Sequence, residues 1–128
     1  MSDPISDLLC RINNAVQAKH PNLVVPHSRL KESISRVLMQ EGYLSEVAVE
    51  GTQKKLLRLK LRYDGRRSVI EGVRRVSSPG RRVYAGCDDI PKVRGGLGIL
   101  VVSTSGGVVT DREARRRKLG GELLCSIW

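Results

Sequence analysis

The stretch STSGGVVTDREARRRK, Ser103 to Lys118, opens with three consecutive hydroxyl side chains and two glycines and carries five basic residues in its last seven positions. Ser103, Thr104 and Ser105 can each donate and accept hydrogen bonds. Gly106 and Gly107 lack the Cβ atoms that would hold a backbone away from a large ligand. Arg112, Arg115, Arg116, Arg117 and Lys118 are cations suited to phosphate. The wide, shallow minor groove of an RNA helix displays 2′-hydroxyls and base edges, which such a loop could meet while nearby arginines take the phosphates. Taken by itself, the loop also reads as an ordinary turn between two elements.

Other chemistries fit less well. A phosphate-cradling enzyme loop shares the order of strand, loop and helix, yet no GK[ST] ending follows and no candidate base lies near. Serine with His27, or cysteine with His20, can be drawn as a nucleophile pair, but any chain with three cysteines and two histidines offers such drawings. His20 and His27 bracket a Pro/Asn turn instead of repeating on a helix face. Cys10, Cys87 and Cys125 are far apart and lack paired metal-ligand spacing. Reduced, mostly buried thiols are expected, with no catalytic residue, metal or cofactor.

The loop needs elements to hold it. Upstream, the run ILVV between Gly98 and Ser103 predicts a buried strand. Downstream, Thr110 and Glu113 have capping-box spacing and start a short basic helix at Asp111, with Gly120 and Gly121 expected to stop it before a last strand from Glu122 to Trp128. Nearer the start, Asp3 and Pro4 cap a helix bearing Ile5, Leu8, Leu9, Ile12 and Val16, ended by His20 and Pro21. A strand over Leu23–Val25 follows, then a helix capped by Ser28 and ended by Gly42, with Leu30, Ile34, Val37 and Leu38 on one face.

From Tyr43 the period becomes two. Val47 and Val49 alternate with polar neighbours, and Leu57, Leu59, Leu61 and Tyr63 alternate with Arg58, Lys60 and Arg62. Asp64 and Gly65 predict a hairpin turn into a segment from Ser68 to Val76. The turn-rich segment from Ser77 to Gly96 reads as the crossing into a second unit. The expected fold is α/β (α+β): an N-terminal unit, residues 1–76, of two helices on a three-stranded sheet, and a C-terminal unit, residues 77–128, mainly β with a short basic helix.

Charge gives the partner class. The chain of 128 residues has 23 Lys and Arg against 13 Asp and Glu, a formal charge of +10. Residues 1–53 hold five basic and six acidic side chains, whereas 54–118 hold eighteen and six. A surplus confined to one half predicts a polyanionic partner, nucleic acid before a membrane surface. With no Phe and one Trp, the core must rely on Leu, Val and Ile. The N-terminus MSDPISDLL lacks a basic, then apolar, leader, and no run approaches the ~20 apolar residues of a membrane span, so a chain of the cytosol or an organellar matrix is expected.

The run GILVVSTSGGVVTDREAR, Gly98 to Arg115, closely resembles the signature of the family of the eighth protein of the bacterial small ribosomal subunit. DPISDLLCRINNA, VPHSRLKESISRVLMQEGYL, RRVSSPGRRVY, PKVRGGLGI and GGELLCSIW resemble further blocks of that family, in order, leaving about Val47 to Ser68 uncovered. The resemblance implies a non-catalytic, architectural protein of the ribosome. It would bind the central domain of small-subunit ribosomal RNA directly and support its folding and subunit assembly, beside neighbouring small-subunit proteins. A free-standing regulator acting on messenger RNA, including its own, is the second class.

Carried over by the resemblance, Ser103, Thr104, Ser105 and Gly107 touch an irregular RNA helix, Tyr84 and Glu122 are contacts or loop braces, and Lys31 is a basic position near RNA. Tyr84 also reads as a half-buried aromatic, and Lys31 as a solvated lysine. By charge and place, Arg112, Arg115 and Arg116 are phosphate candidates, with pairing to Asp111 and Glu113 as the alternative. The chain departs from the family pattern at Gly106, where lysine is common, and at Cys10, Asn13, Ser78 and Ser126. Arg66, Arg67, Arg81, Arg82 and Arg115 to Arg117 are expected to supply the missing charge.

Overall fold

The computed structural model describes residues 3–128, in two compact units: one ends at Glu71 and the other is Gly72–Trp128. Met1 and Ser2, where the reading of the N-terminus begins, lie outside the described residues. Helices and antiparallel sheets make a mixed α+β fold, as the two periodicities predict.

In the first unit the Asp3 carboxylate caps α1 (Pro4–Gln17) by accepting from the amides of Ile5 and Ser6. Ile5, Leu8, Leu9 and Ile12 form its buried face. The helix stops short of Pro21 because Lys19 already turns left-handed, at φ 59°. After β1 (Asn22–Pro26), the Ser28 hydroxyl accepts from the Lys31 amide to start α2 (Arg29–Gln40), and Gly42, at φ 85°, turns the chain out of it. With β2 (Leu44–Glu50) and β3 (Leu56–Leu61), the sheet order is β1-β3-β2, all antiparallel.

Register explains the alternation. Leu59 lies between Leu23 and Val47, and Leu57 between Val25 and Val49. Burying Leu57, Leu59 and Leu61 contributes about 1.5–3 kcal/mol each. The opposite face is less basic than β3 alone predicts, since Glu50 pairs with Arg58 at 3.2 Å and Glu46 stands opposite Lys60.

The segment Ser68–Val76 is divided instead of forming one strand. Around Gly65, β4 (Tyr63–Asp64) pairs with β5 (Arg67–Ser68), while β6 (Val73–Arg75) joins the C-terminal strand. Gly72 makes the break: it exchanges two backbone hydrogen bonds with Trp128, at 3.0 and 3.1 Å, and a Cβ there would sit 2.4 Å from the indole.

The second unit adds β7 (Tyr84–Ala85), β8 (Ile99–Thr104), β9 (Gly107–Thr110), α3 (Asp111–Arg117) and β10 (Gly121–Ile127). Strand β10 pairs with β6 and β7 on one edge and β8 on the other, and β9 pairs with β8. Ile90, Leu100, Val102, Ala114 and Leu123 make its core, so α3 lies on the Val102 face of the sheet.

Three features depart from the local reading. The hydroxyl loop does not run straight into the helix: Gly107–Thr110 first returns along β8 as a hairpin. The helix is stopped by Lys118, left-handed at φ 57°, with the Leu119 amide reaching the Ala114 carbonyl at 2.9 Å. Gly120 and Gly121 serve close approach instead, as their Cβ atoms would lie 2.6 Å from the Ala85 carbonyl oxygen and 2.1 Å from that of Ser103. Finally, β10 carries an extra residue at Leu124, a bulge whose carbonyl accepts from the Val76 amide at 3.0 Å and from Arg75 Nη1 at 2.9 Å.

Candidate nucleic-acid interface

The hairpin tip is built by one hydroxyl. Thr104 Oγ1 accepts from the Gly106 amide at 3.1 Å and donates to the Gly107 carbonyl at 2.8 Å, closing the turn from inside. Gly107 stands at φ 108° with open space where a Cβ would be, so its requirement is conformational. Thr104 is therefore a brace. Ser103 and Ser105 make no side-chain hydrogen bond among the described residues, and Ser105 is exposed at the tip. Of the three hydroxyls, these two are free to meet a ligand.

Register then gathers distant residues. Tyr84 lies opposite Glu122 on β10, Glu122 opposite Ser103 on β8, and Ser103 opposite Val108 on β9. Directly opposed residues share a face, so Tyr84, Glu122 and Ser103 form one row across three strands, on the face away from Val102 and α3. Tyr84 is 68% exposed and its hydroxyl makes no hydrogen bond among the described residues, unlike a half-buried core aromatic. Glu122 Oε2 accepts from Arg82 Nη1 at 3.0 Å. The row thus offers an aromatic face, a carboxylate tied to a guanidinium, and a hydroxyl.

The helix arginines are mostly engaged. Arg115 Nη2 donates to Asp111 Oδ2 at 2.8 Å and to the Pro91 carbonyl at 3.1 Å. Asp111, only 4% exposed, also accepts the Leu100 amide at 3.1 Å, which locks α3 onto β8. Arg116 and Arg117 both donate to the Glu113 carboxylate, Arg117 from Nε at 2.7 Å. Those hydrogen bonds, from Arg116 first and Arg117 second, hold the Glu113 carboxyl down at about 2 and push the Arg116 guanidinium up. Arg112 is exposed and has no ion-pair partner among the described residues.

Two cations expected only as bulk charge acquire positions. Arg82 joins the row through Glu122, forty residues away, which no local pattern reveals. Arg117 Nη1 comes within 3.6 Å of where a Gly106 Cβ would be, placing a guanidinium at the hairpin tip. Its four-residue spacing from Glu113 is the signal for that placement in the sequence.

Lys31 belongs to the first unit and is 6% exposed. Its Nζ donates to the Pro26 carbonyl at 2.9 Å and lies 3.6 Å from Asp7 Oδ2, so it joins α2, the end of β1 and α1. Neither a solvated lysine nor an open phosphate contact describes that geometry. Cys125 is fully buried, and burial pushes its thiol up to about 12, whereas Cys10 is exposed. His27 Nε2 is hydrogen-bonded to Glu32 at 2.8 Å, and no cluster of metal-binding side chains occurs among the described residues.

The sequence profile of the family described as ribosomal protein S8 matches residues 3–128. The chain belongs to that family. Small ribosomal subunit protein uS8 of Nitratidesulfovibrio vulgaris (strain DSM 19637 / Miyazaki F) is 52% identical over 128 residues, covering all of this chain and 99% of the relative. The proteins of the same name from Dictyoglomus turgidum and Sorangium cellulosum are 48% and 51% identical, again over all of this chain and 98% and 99% of theirs. The S8 family consists of structural ribosomal proteins, not enzymes. No helix among the described residues is long and apolar enough to cross a membrane.

Proposed function

We propose that the chain is a structural constituent of the small ribosomal subunit that binds the central domain of small-subunit ribosomal RNA directly and supports its folding and the subunit's assembly. The observation that carries this reading is the row of Tyr84, Glu122 and Ser103, beside an exposed Ser105, in a chain of the S8 family. The C-terminal unit, about residues 77–128, is the RNA-binding part, and neighbouring ribosomal proteins are its other partners in the cytoplasmic ribosome.

In this reading Ser103 and Ser105 meet 2′-hydroxyls or base edges, Tyr84 stacks on an unpaired base, and Glu122 holds Arg82 or accepts from a base donor. Thr104 and Gly107 shape the tip. Arg112 and Arg117 reach phosphates; Arg115 and Arg116 act mainly through the carboxylates they hold. Lys31 acts as a strut of the first unit. The test is binding of the purified chain to a central-domain fragment and to an equal-length random duplex across a salt series. Tighter binding to the fragment that persists as salt rises supports the reading; equal, salt-labile binding to both overturns it.

A further inference from the structure

On the α3 side of the second unit's sheet lies a cleft of about 570 Å³ that the row does not use. Arg74, Arg75, Arg81, Lys92 and Arg94 line it, and no Asp or Glu side chain does. Arg75 is engaged with the bulge carbonyl of Leu124. Arg74, Arg81, Lys92 and Arg94 have no acidic partner among the described residues. Cations gathered around one concavity repel each other, and an anion in the cleft relieves that repulsion.

A fixed aromatic platform stands beside them. The Arg94 guanidinium lies 4.8 Å from the centre of the Trp128 ring, within cation–π range. The ring is seated where Gly72 has no Cβ, and Gly98 clears the Trp128 Cβ, which an added methyl would approach to 2.9 Å. Arg94 itself holds φ 52°, a left-handed conformation disfavoured for a residue with a Cβ, followed by Gly95 at 65° and Gly96 at 98°. Backbone strain retained at a side chain that lines a charged cleft points to a ligand-related use. A guanidinium stacked on an indole also presents a flat surface on which a nucleobase can stack.

We propose that this cleft is a second RNA site, on the opposite face of the sheet from the row, that takes the backbone of a single-stranded RNA segment with one base stacked beside the Arg94–Trp128 pair. An acidic peptide would satisfy the cations but would leave the constrained stack without a purpose. The proposal rests on the RNA-binding reading above and adds a second strand to it, so that RNA engages both faces of one sheet.

Trp128 is the chain's single tryptophan, so its emission reports the cleft without a label. The full chain is titrated with an unstructured oligoribonucleotide of about ten nucleotides, a typical single-strand site size. A saturable change in emission is expected, weakened roughly tenfold or more by Arg74→Glu with Lys92→Glu, with a shallower salt slope. Should that pair disturb the circular dichroism, Arg94→Gln is read instead, with the same expectation. No emission change at low salt overturns the site, and a polyglutamate peptide that binds as tightly as the oligonucleotide overturns the RNA assignment. If the central-domain fragment fails to bind while the oligonucleotide still shifts Trp128 emission, the row reading fails and the cleft stands. If the fragment binds and the oligonucleotide does nothing, the cleft alone fails.

Discussion

Glu122 and Ser103 face each other across β10 and β8, and the Glu122 carboxylate is held at 3.0 Å by Arg82. A carboxylate on a row proposed to face RNA repels phosphate, so its place there makes sense only with a cation to neutralise it or a base donor to meet. Glu122→Gln keeps the shape and frees Arg82. We expect random-duplex binding to strengthen, with a salt slope steeper by about one, while discrimination for the central-domain fragment falls. A salt-series titration measures both, and unchanged discrimination would remove Glu122 from the row's function.

Ser105→Ala deletes one unpaired hydroxyl at the hairpin tip and leaves the Thr104 brace intact. Binding to the fragment should weaken by roughly 1–2 kcal/mol, the cost of a lost hydrogen bond in a complex, with random-duplex binding unaltered. Equal weakening on both RNAs would show that the tip contributes no selectivity.

Asp111 accepts from the Leu100 amide and from Arg115 while nearly buried. Asp111→Ala leaves the Leu100 amide without its acceptor and Arg115 with only the carbonyls of Ile90 and Pro91, and should cost about 3 kcal/mol of stability, as for other broken buried pairs. Urea unfolding followed by circular dichroism tests this. A change within about 0.5 kcal/mol, the size of an ordinary surface substitution, would mean that α3 is held by Ala114 packing alone.

Arg116 and Arg117 hold the Glu113 carboxyl at about 2, below its ordinary 4.5. A depressed carboxyl stabilises the fold fully above the ordinary value and loses that contribution as pH falls through 2. The Glu113 side-chain carbon, followed by NMR, should therefore titrate near 2, and α3 should remain ordered at pH 4. A midpoint near 4 would show that the arginines do not hold it in solution.

Burial raises the Cys125 thiol to about 12, while Cys10 is exposed. Iodoacetamide at pH 8 should modify Cys10 in the folded chain and reach Cys125 only after denaturant is added, since the thiolate is the reacting form. Peptide mass mapping distinguishes the two sites. Modification of Cys125 in the native protein would show that the second unit opens locally.

Elements with strong periodicity are legible in the sequence. The α1 face and the Leu57, Leu59 and Leu61 alternation follow from local spacing, and Thr110 caps α3 through the Glu113 amide as the capping-box spacing requires. What local pattern does not supply is partnership. Val73–Arg75 reads as a continuation of its neighbours, and only the tie between Gly72 and Trp128 hands it to the C-terminal strand. Gly120 and Gly121 look like a helix stop, whereas their real constraint is the pair of carbonyls of Ala85 and Ser103 beside them. The residues from Ser103 to Gly107 stand out as a cluster by type alone. The division of labour between Thr104 and its neighbouring serines depends instead on which hydroxyl closes the turn.

The extra residue at Leu124 resets the parity of β10. Glu122, ahead of it, pairs with Ser103, and Ser126, beyond it, pairs with Leu100 on the other side of the sheet, although both are even positions of one strand. The even-numbered side chains of one strand thereby turn from the row, at Glu122, to the cleft, at Ser126. Deleting Leu124 would leave Glu122 opposite Ser103 and Ser126 opposite Leu100 in an unbroken ladder, and would remove the carbonyl that holds the Val76 amide and Arg75, so the extra residue serves to anchor the chain that follows β6.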